Sequence, residues 1–414
     1  MKNRIRMICE VWHNELKYTL RDQGVLIFFI LLPLGYPLVY SWIYNNEVVR
    51  EVPVAVVDNS RSSGSRAFVQ QCDASPDVRV AARVASMDEA KLLMSKGEVY
   101  GIYYIPSDFA LRLSRMEQTT VSVYCSMSLM LYYKAVFQTA SNVASAMNGR
   151  LQIALAGNQT AREDELTAHP LTIDEVPVFN PTGGYGNFIL PGVLILIIQQ
   201  SLVLGVGLAA GTARERNNYG FLVPLTRRSR GVGCIVAGKA LFYLMVYAVM
   251  GSYLTIVVPR LFHFVTLAGW RELLGVLLPF TLASIFFAMT ISCLVRYREN
   301  VLLLVVFFSV PLLFMSGVSW PQSDIPVFWQ SFSWLFPSTF GIRAFVRTNS
   351  MGATLNDVAT EYVALWIQVA VYGLLACAVY RYQAAVAHRY ALGRIRALRR
   401  KREVRARFKA RAKL

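Results

Sequence analysis

Six long apolar runs limit what this chain can fold into, because about 20 residues of helix are enough to cross the hydrocarbon core of a bilayer. The runs contain no Asp, Glu, Arg or His, and their only charged side chain is Lys239. They are TM1 to TM6, residues 25–44, 188–210, 236–258, 273–295, 301–320 and 362–380. The chain is 55% hydrophobic and 16% charged, whereas a soluble domain has about 25% charged residues. We therefore predict an α-helical integral membrane protein with six transmembrane helices.

Basic residues between the runs predict the orientation, because Lys and Arg stay on the cytoplasmic side. They are concentrated in residues 1–24, in the loop 211–235, at residues 296–298 and in the tail 381–414. Six spans place all four segments on one side, which predicts an N-in/C-in protein. Residues 1–24 alternate basic and apolar side chains at helical spacing, which favours an amphipathic helix in the cytoplasmic interface.

The tail 381–414 accounts for most of the net charge of +17, with 13 Lys/Arg and one acid, Glu403. A basic segment next to a membrane typically binds anionic lipid. An acidic protein surface is the alternative partner, and a nucleic acid is the least favoured one.

Residues 45–187, between TM1 and TM2, form a mildly acidic insertion that reads as a folded domain. β-Branched runs at 52–58, 78–84, 99–106 and 120–126 predict strands, and helical patterns lie between them. The helix in SDFALRLSRM is expected to have a serine cap, and residues 129–157 predict a long helix. This alternation favours an inserted extracytoplasmic α/β domain with a mixed or parallel sheet. Its two cysteines, Cys72 and Cys125, can pair, but two separate buried thiols are the favoured interpretation.

An aromatic stretch broken by prolines follows TM5, at residues 321–347. It is too apolar for a free loop and too interrupted to span the membrane. Short re-entrant or interfacial helices are the favoured interpretation, with a plain external loop as the alternative.

The octet GCIVAGKA at 233–240 resembles a nucleotide-binding P-loop, but it lacks the hydroxyl residue after the lysine that holds Mg²⁺. Ala240 stands there, a basic loop precedes the octet, and an apolar run follows it. We expect the glycines to allow close packing and Lys239 to reach the headgroups. The octet is therefore not expected to bind a nucleotide.

Charged side chains are missing from the interior of the runs, which disfavours an ion-coupled carrier. The sequence also shows no metal-ligand cluster and no set of nucleophile, base and acid. If the protein moves a solute uphill, the energy is expected from a soluble motor that docks on the loop 211–235. An ordinary basic loop is the alternative interpretation.

Six motifs occur together in a characteristic order: VFNP (178–181), FILPG (188–192), RER (214–216), GK (238–239), SGVSWP (316–321) and FPSTFGIRAFVR (336–347). On them the chain resembles an ABC-2-type transporter permease, of the subgroup with a large extracytoplasmic domain between the first and second transmembrane helices.

The resemblance implies a multi-pass half-transporter of the bacterial inner membrane. Two permeases, as a homodimer or a related heterodimer, would assemble with two copies of a separate ABC ATPase subunit that binds ATP and Mg²⁺. This chain would then be neither an enzyme nor a holder of a cofactor. The coupling residues it implies are Arg214, Glu215, Arg216, Asn217, Asn218 and Tyr219. The family often has a second Glu here, followed by Gly-Thr, so the dock is expected to suit its own ATPase.

The resemblance also implies a path at the interface of the two permeases, lined by spans one, two and five. Because these spans are uncharged, the path fits export of a hydrophobic or amphipathic substrate, such as a drug, a lipid or a lipid-linked molecule. The proposed path residues are Tyr36, Tyr40, Gln199, Gln200, Phe308 and Met315. Gln199 and Gln200 can instead join two helices by hydrogen bonds, which is the commoner role. A periplasmic adaptor is a further predicted partner. The rival function is a membrane scaffold or sensor that transports nothing and presents the α/β domain.

Overall fold

The computed structural model describes residues 2–45, 48–115, 117–127, 129–157, 160–168, 178–180, 184–215, 231–292 and 297–411, with side chains from residue 4 to residue 386. The predicted coupling residues Arg216, Asn217, Asn218 and Tyr219 lie outside these ranges. The chain divides into two compact units, which are residues 1–45 with 184–414 and residues 46–183.

The first unit, the helical unit, is a bundle of helices. Its longer helices are α1 (Lys2–Arg21), α2 (Gln23–Tyr44), α8 (Tyr185–Glu215), α9 (Gly231–Leu261), α10 (Trp270–Ile291), α11 (Arg298–Met315) and α14 (Ala359–Arg411). Within the described residues, six helices are long and apolar enough to cross a membrane, namely all of these except α1. This agrees with the six predicted spans.

Helix α8 lies in the centre of the bundle. In its most apolar stretch 78% of the residues are buried, against 22% in α11 and 17% in α14. It packs against α10, α11 and the helix α13 (Pro337–Met351). A helix that is hydrophobic all round is expected to be enclosed by others, and the sequence of α8 has this character.

Two of the spanning helices contain a π-helical turn. In α2 the turn is Ile27–Leu31, where the N–H of Leu32 donates to the carbonyl of Ile27. In α9 it is Tyr253–Val257, and the N–H of Val258 donates to the carbonyl of Tyr253. A proline follows each turn, Pro33 in α2 and Pro259 in α9. Proline has no N–H to donate, so the wider turn coincides with a break in the α-helical hydrogen bonds.

Short helices connect α11 to α14, as the aromatic stretch predicts. They are a 3₁₀ turn at Gln322–Asp324, helix α12 (Val327–Ser333) and helix α13. Helix α13 packs against α8, α10 and α14, and its buried face is rich in small residues. It is therefore part of the bundle core.

The last helix, α14, has 53 residues and joins the predicted sixth span to the basic tail without a break. At 1.5 Å per residue it is about 80 Å long, which exceeds the thickness of a bilayer.

The second unit, the inserted domain, is built around a four-stranded mixed sheet. Its elements are β1 (Val52–Asp58), α3 (Ser63–Asp73), β2 (Val78–Val84), α4 (Met87–Ser95), β3 (Gly101–Ile105), α5 (Phe109–Ser114), β4 (Ser122–Cys125), α6 (Met130–Ala156) and α7 (Ala161–Ala168). The strand order is β2-β1-β3-β4, with β1 parallel to β2 and β3, and β4 antiparallel to β3.

Alternate residues of β1 point to opposite faces of the sheet and support two separate apolar cores. On one face Val54 and Val56 belong to a core with Phe68 of α3 and Val136 of α6. On the other face Ala55 and Val57 pack with Ala90 of α4.

Local signals in the inserted domain are partly confirmed. Helix α6 ends at Gly157, whose φ of +64° favours glycine. The predicted serine cap of α5 is wrong, because the helix starts after Asp108 and no side chain caps it. Cys72 and Cys125 are both free, as the interpretation as separate thiols predicts, but only Cys72 is buried and Cys125 is half-buried.

Candidate functional site

Helix α1 is joined to α9 by a buried ion pair. The Nζ atom of Lys239 lies 2.8 and 2.7 Å from the two carboxylate oxygens of Glu15, which is only 6% exposed. The hydroxyl of Tyr243 also donates to Glu15, and Lys239 lies over the ring of Tyr380 at 5.8 Å. The expectation that Lys239 reaches the headgroups is therefore wrong, because an acid on α1 satisfies its charge inside the protein.

The sequence of α1 places Glu15 on the buried face. Met7, Val11, Glu15 and Thr19 are all buried and follow one another at intervals of four residues. This spacing puts them on one side of a helix. Glu15 thus continues an apolar stripe, and its carboxylate needs the charge of Lys239 to be buried there.

Gly238 lets the two helices approach each other closely. A Cβ atom on Gly238 would lie 2.9 Å from the carbonyl oxygen of Ile8 and 2.9 Å from Cβ of Val11. A Cβ on Gly233 would meet nothing within 4 Å. The second glycine of the octet, followed by its lysine, is therefore a packing contact for α1.

A second polar cluster joins the ends of three spanning helices. Oδ1 of Asp22 accepts from the backbone N–H of Gly24 at 3.1 Å, which caps α2. The same oxygen lies 2.9 Å from Nη2 of Arg298 on α11. Oδ2 accepts from the hydroxyl of Thr212 on α8 at 2.9 Å. Glu215, the last residue of α8, accepts from the backbone N–H of Arg298 at 3.2 Å. We call the end of the bundle that holds Asp22, Thr212, Glu215 and Arg298 the basic end, because the basic segments of the sequence adjoin it.

The charge state of Asp22 fits this cluster. Burial alone raises the pKa of the carboxyl group, but the hydrogen bond from Thr212, the charge of Arg298 and further hydrogen bonds from the backbone of Val25 and from Arg298 together outweigh burial. Together they hold the pKa of Asp22 below its ordinary value of 3.8. The ionised carboxylate is therefore the stable form, and it ties α2, α8 and α11 together at neutral pH.

A continuous set of contacts leads from the ion pair on α1 into the middle of the bundle. Tyr243 packs against Phe29, which lies in the π-helical turn of α2, with ring centroids 5.6 Å apart. Phe29 also packs against Tyr247 at 5.9 Å. The hydroxyl of Tyr247 donates to Oγ of Ser201 on α8 at 2.8 Å. A displacement of α1 therefore has a packed route to α2 and α8.

The predicted path residues lie in several environments. The hydroxyl of Tyr36 donates to that of Tyr40 at 3.0 Å, and their rings begin a ladder that continues through Tyr44, Tyr185 and Phe188. The structure thus brings the two predicted tyrosines together and adds three rings that the sequence did not suggest.

The two predicted glutamines differ from each other. Oε1 of Gln199 accepts from the backbone N–H of Ser338 at 2.6 Å and so holds the N-terminus of α13. Nε2 of Gln200 is buried, and no described residue gives it a hydrogen-bond partner. The structure gives Gln199 the helix-joining role that was one of its two predicted alternatives.

Phe308 and Met315 both lie on α11. Phe308 packs against Phe336 at 5.8 Å, in an aromatic group with Phe307 and Phe332. Met315 is buried near the end of the helix.

Sequence reasoning missed Glu15, Asp22, Thr212 and Arg298 as site residues. Glu15 had a detectable signal, since an acid on the apolar stripe of a helix needs a buried partner. Asp22 directly precedes a predicted span, where a capping carboxylate is common. Its contacts with Thr212 and Arg298 depend on tertiary packing that no local pattern shows.

The described side chains contain no group of three or more His, Cys, Asp or Glu that could hold a metal ion. A family model described as ABC-2 family transporter protein matches residues 24–378. The chain belongs to this family. The comparison with curated proteins finds no match.

The family match sets the polar site of this ABC-2 transporter protein in context. The match begins at Gly24, so Lys239, Thr212 and Arg298 lie inside it, whereas Glu15 and Asp22 precede it. Helix α1 thus attaches to the family's membrane bundle through contacts made by its own Glu15 and by the Asp22 that follows it.

Proposed function

We propose that this ABC-2 protein is the permease subunit of an exporter. It moves a hydrophobic or amphipathic substrate, such as a drug, a lipid or a lipid-linked molecule, out of the cytoplasm or the inner leaflet. Hydrolysis of ATP on separate ABC ATPase subunits supplies the energy. The observation that carries the proposal is the pair of polar clusters, the buried ion pair Glu15–Lys239 and the Asp22 cluster at the basic end, which together link α1, α2, α8, α9 and α11.

The basic end is the face on which an ATPase would act. Glu215 is exposed at the end of α8 and contacts the first residue of α11. The proposed dock includes Arg214 and Glu215, continues through residues 216–219 and has α1 as its second contact. A push on this dock would reach α11 through Arg298 and α2 through Asp22, because the same cluster holds both.

The near absence of charge from the predicted spans supports an energy source outside the bilayer. The six predicted spans contain one charged side chain, Lys239, and Glu15 neutralises it. Ion-coupled carriers use ionisable groups inside their spans for the relay. A motor outside the bilayer is the alternative that the uncharged interior supports, with ATP and Mg²⁺ bound by that motor.

A second permease is proposed to cover the outer faces of α2 and α11. Leu303, Val306, Phe307 and Val310 lie on one face of α11, and Phe307 is 73% exposed. Trp42 is 78% exposed on α2. The substrate would pass along this interface, near the ladder that begins at Tyr36 and Tyr40, whose rings suit an apolar or aromatic molecule.

The proposed location is the bacterial inner membrane, with both termini in the cytoplasm and the inserted domain outside. The basic part of α14 would then contact anionic lipid on the cytoplasmic side. A periplasmic adaptor would be the partner on the other side.

The test is a pull-down of the tagged protein from mild detergent, with ATPase activity measured on the co-purified material. We expect a vanadate-sensitive ATPase that Glu215→Arg removes. Glu215→Gln keeps an oxygen acceptor for the N–H of Arg298 and should retain the ATPase. Glu117→Arg, on the exposed surface of the inserted domain, is the charge-matched control.

Recovery of the protein alone, or only with itself, would favour the scaffold or sensor. A loss with Glu215→Arg and Glu117→Arg alike would assign the effect to general instability and contradict the proposed dock.

A further inference from the structure

The inserted domain has a basic cleft at one edge of its sheet. The cleft has a volume of about 270 Å³. It opens beyond the carboxyl ends of β1 and β2, next to the start of α3. Val56 and Val69 are buried beneath it. In open α/β sheets, ligands bind outside the carboxyl ends of parallel strands. The cleft lies on the carboxyl side of the parallel strands, the side on which such sheets bind ligands, next to β1 and β2 and not at the switch point between β1 and β3.

Three arginines from three elements line the cleft. Arg61 lies in the loop after β1, Arg66 lies on α3, and Arg83 lies near the end of β2. All three are exposed. Their convergence depends on tertiary structure, since a strand and a helix separate Arg61 from Arg83.

An irregularity in the sheet directs Arg83 toward the cleft. The register of β1 and β2 shifts between Val54 and Ala55, so that Val56 pairs with Arg83. Register partners share a face of the sheet, and Val56 is on the α3 face. Arg79 pairs with Pro53 and so lies on the opposite face. An extra residue in one strand re-aims the side chains beyond it, and here it brings Arg83 beside α3.

The positive charge of the cleft lacks a matching acid. Within the described ranges, none of the ion pairs includes Arg61, Arg66 or Arg83. Among the described residues, Asp58 is the one carboxylate that lines the cleft. Its oxygens accept from the N–H of Ser60 at 3.0 Å, from the N–H of Arg61 at 2.9 Å and from Oγ of Ser65 at 2.7 Å. These bonds hold the loop that carries Arg61, and three guanidinium groups remain against one carboxylate.

The excess of positive charge is confined to the cleft. Residues 45–187 contain 12 Lys/Arg and 15 Asp/Glu, so the insertion as a whole is mildly acidic. A positive cleft on an acidic domain concentrates anions at one place. Guanidinium groups match the oxygens of phosphate by paired hydrogen bonds. Val84 and Ala85, which line the cleft without being buried, leave apolar surface for a few attached carbon atoms.

We propose that the cleft lined by Arg61, Arg66 and Arg83 binds a phosphomonoester group. The dianion balances the excess of two positive charges, and the carbon atoms next to the phosphate lie over Val84 and Ala85. The group comes either from a small soluble compound or from the headgroup of a phosphorylated lipid. This site is separate from the permease function and does not depend on it.

The test is isothermal titration calorimetry on the full chain in a maltoside detergent and a phosphate-free buffer. The probes are glycerol 3-phosphate and dihexanoyl phosphatidic acid, with succinate as the carboxylate comparison. The cleft variant is Arg61→Gln/Arg66→Gln/Arg83→Gln. The control variant, Arg79→Gln/Arg115→Gln/Arg150→Gln, removes the same charge from exposed positions that do not line the cleft.

We expect at least one phosphate probe to bind, with at least tenfold weaker binding in the cleft variant and unchanged binding in the control. Tighter binding of glycerol 3-phosphate identifies a soluble ligand, and tighter binding of the phosphatidic acid identifies a lipid. The proposal is overturned if neither probe binds, if both variants lose binding equally, or if succinate binds as tightly as phosphate.

Discussion

The ammonium nitrogen of Lys239 lies 2.7 Å from a carboxylate oxygen of Glu15. Only 14% of the Lys239 side chain and 7% of the Glu15 side chain is exposed. A buried ion pair adds little net stability over an apolar pair, but loss of one partner is costly. The pair therefore fixes where α1 attaches along α9. It specifies one position among those that the apolar stripe of α1 would allow.

Glu15→Gln should destabilise the protein by about 3–5 kcal/mol, because Lys239 would remain buried without its counter-charge. The readout is the apparent melting temperature in detergent, from the folded fraction after heating. Glu15→Leu/Lys239→Leu should recover part of the loss, since neither charge is left. A double variant as unstable as the single one would contradict this account.

The exposed pair Arg112–Asp108 is the comparison for that experiment. Its side chains are 50% and 40% exposed, and exposed pairs contribute about 0–1 kcal/mol. Asp108→Asn should leave the melting temperature nearly unchanged.

The two glycines of the octet should respond differently to alanine. Gly238→Ala places a methyl group against the backbone of Ile8, so α1 must shift, and both the melting temperature and any co-purified ATPase activity should fall. Gly233→Ala meets open space and should be neutral or stabilising by up to about 1 kcal/mol, because alanine favours the helix. Equal losses in the two variants would exclude helix packing as the role of Gly238.

Asp22 should make stability depend on acidity. Its pKa in the folded state is lower than the 3.8 of the unfolded chain. Its contribution is therefore complete above pH 3.8 and is lost as the pH falls through the lower, folded-state value. Melting temperatures measured from pH 7 down to pH 3 should fall more steeply at the acid end for the wild type than for Asp22→Asn. Parallel curves would show that Asp22 does not contribute.

The neighbouring glutamines offer a further matched comparison. Gln199→Leu removes the acceptor of the buried N–H of Ser338 and should cost about 1–3 kcal/mol. Gln200→Leu removes an amide nitrogen that no described residue pairs with, and it should be neutral or stabilising. Both are read as melting temperatures, and the opposite order would reverse the roles assigned to the two side chains.

Much of the fold follows from the sequence, because its signals are local. The spans are visible as apolar runs, and β1 and β2 occupy the residues that their β-branched runs predict. The serine cap of α5 could not be judged locally, since Asp108 and Ser107 are both capable caps and the tertiary structure uses neither side chain. The sequence also did not show that TM6 and the tail form one continuous helix, because a change in composition from apolar to basic does not interrupt a helix.

The candidate site was predictable only in part. The GK motif marked the right place, but its meaning depends on Glu15, which is more than 200 residues away in the chain. Likewise, Asp22 and Arg298 meet only because the N-terminal ends of α2 and α11 lie beside each other. A pattern along the chain does not show which distant residues meet. The sequence therefore identified single members of these pairs and missed their partners.

The π-helical turns at Ile27–Leu31 and Tyr253–Val257 make the exact length of two spans matter. Each turn holds one residue more than the α-helical turn it replaces, so in genetic terms α2 and α9 each carry one inserted codon. Because the wider turn absorbs the extra residue, deletion of that codon would restore an α-helical turn and leave both halves of the helix in register. Deletion of a codon elsewhere in the span would rotate one half by about 100° against the other. These spans can therefore lose one codon at the π-helical turn, whereas loss of a codon elsewhere in them would not be tolerated.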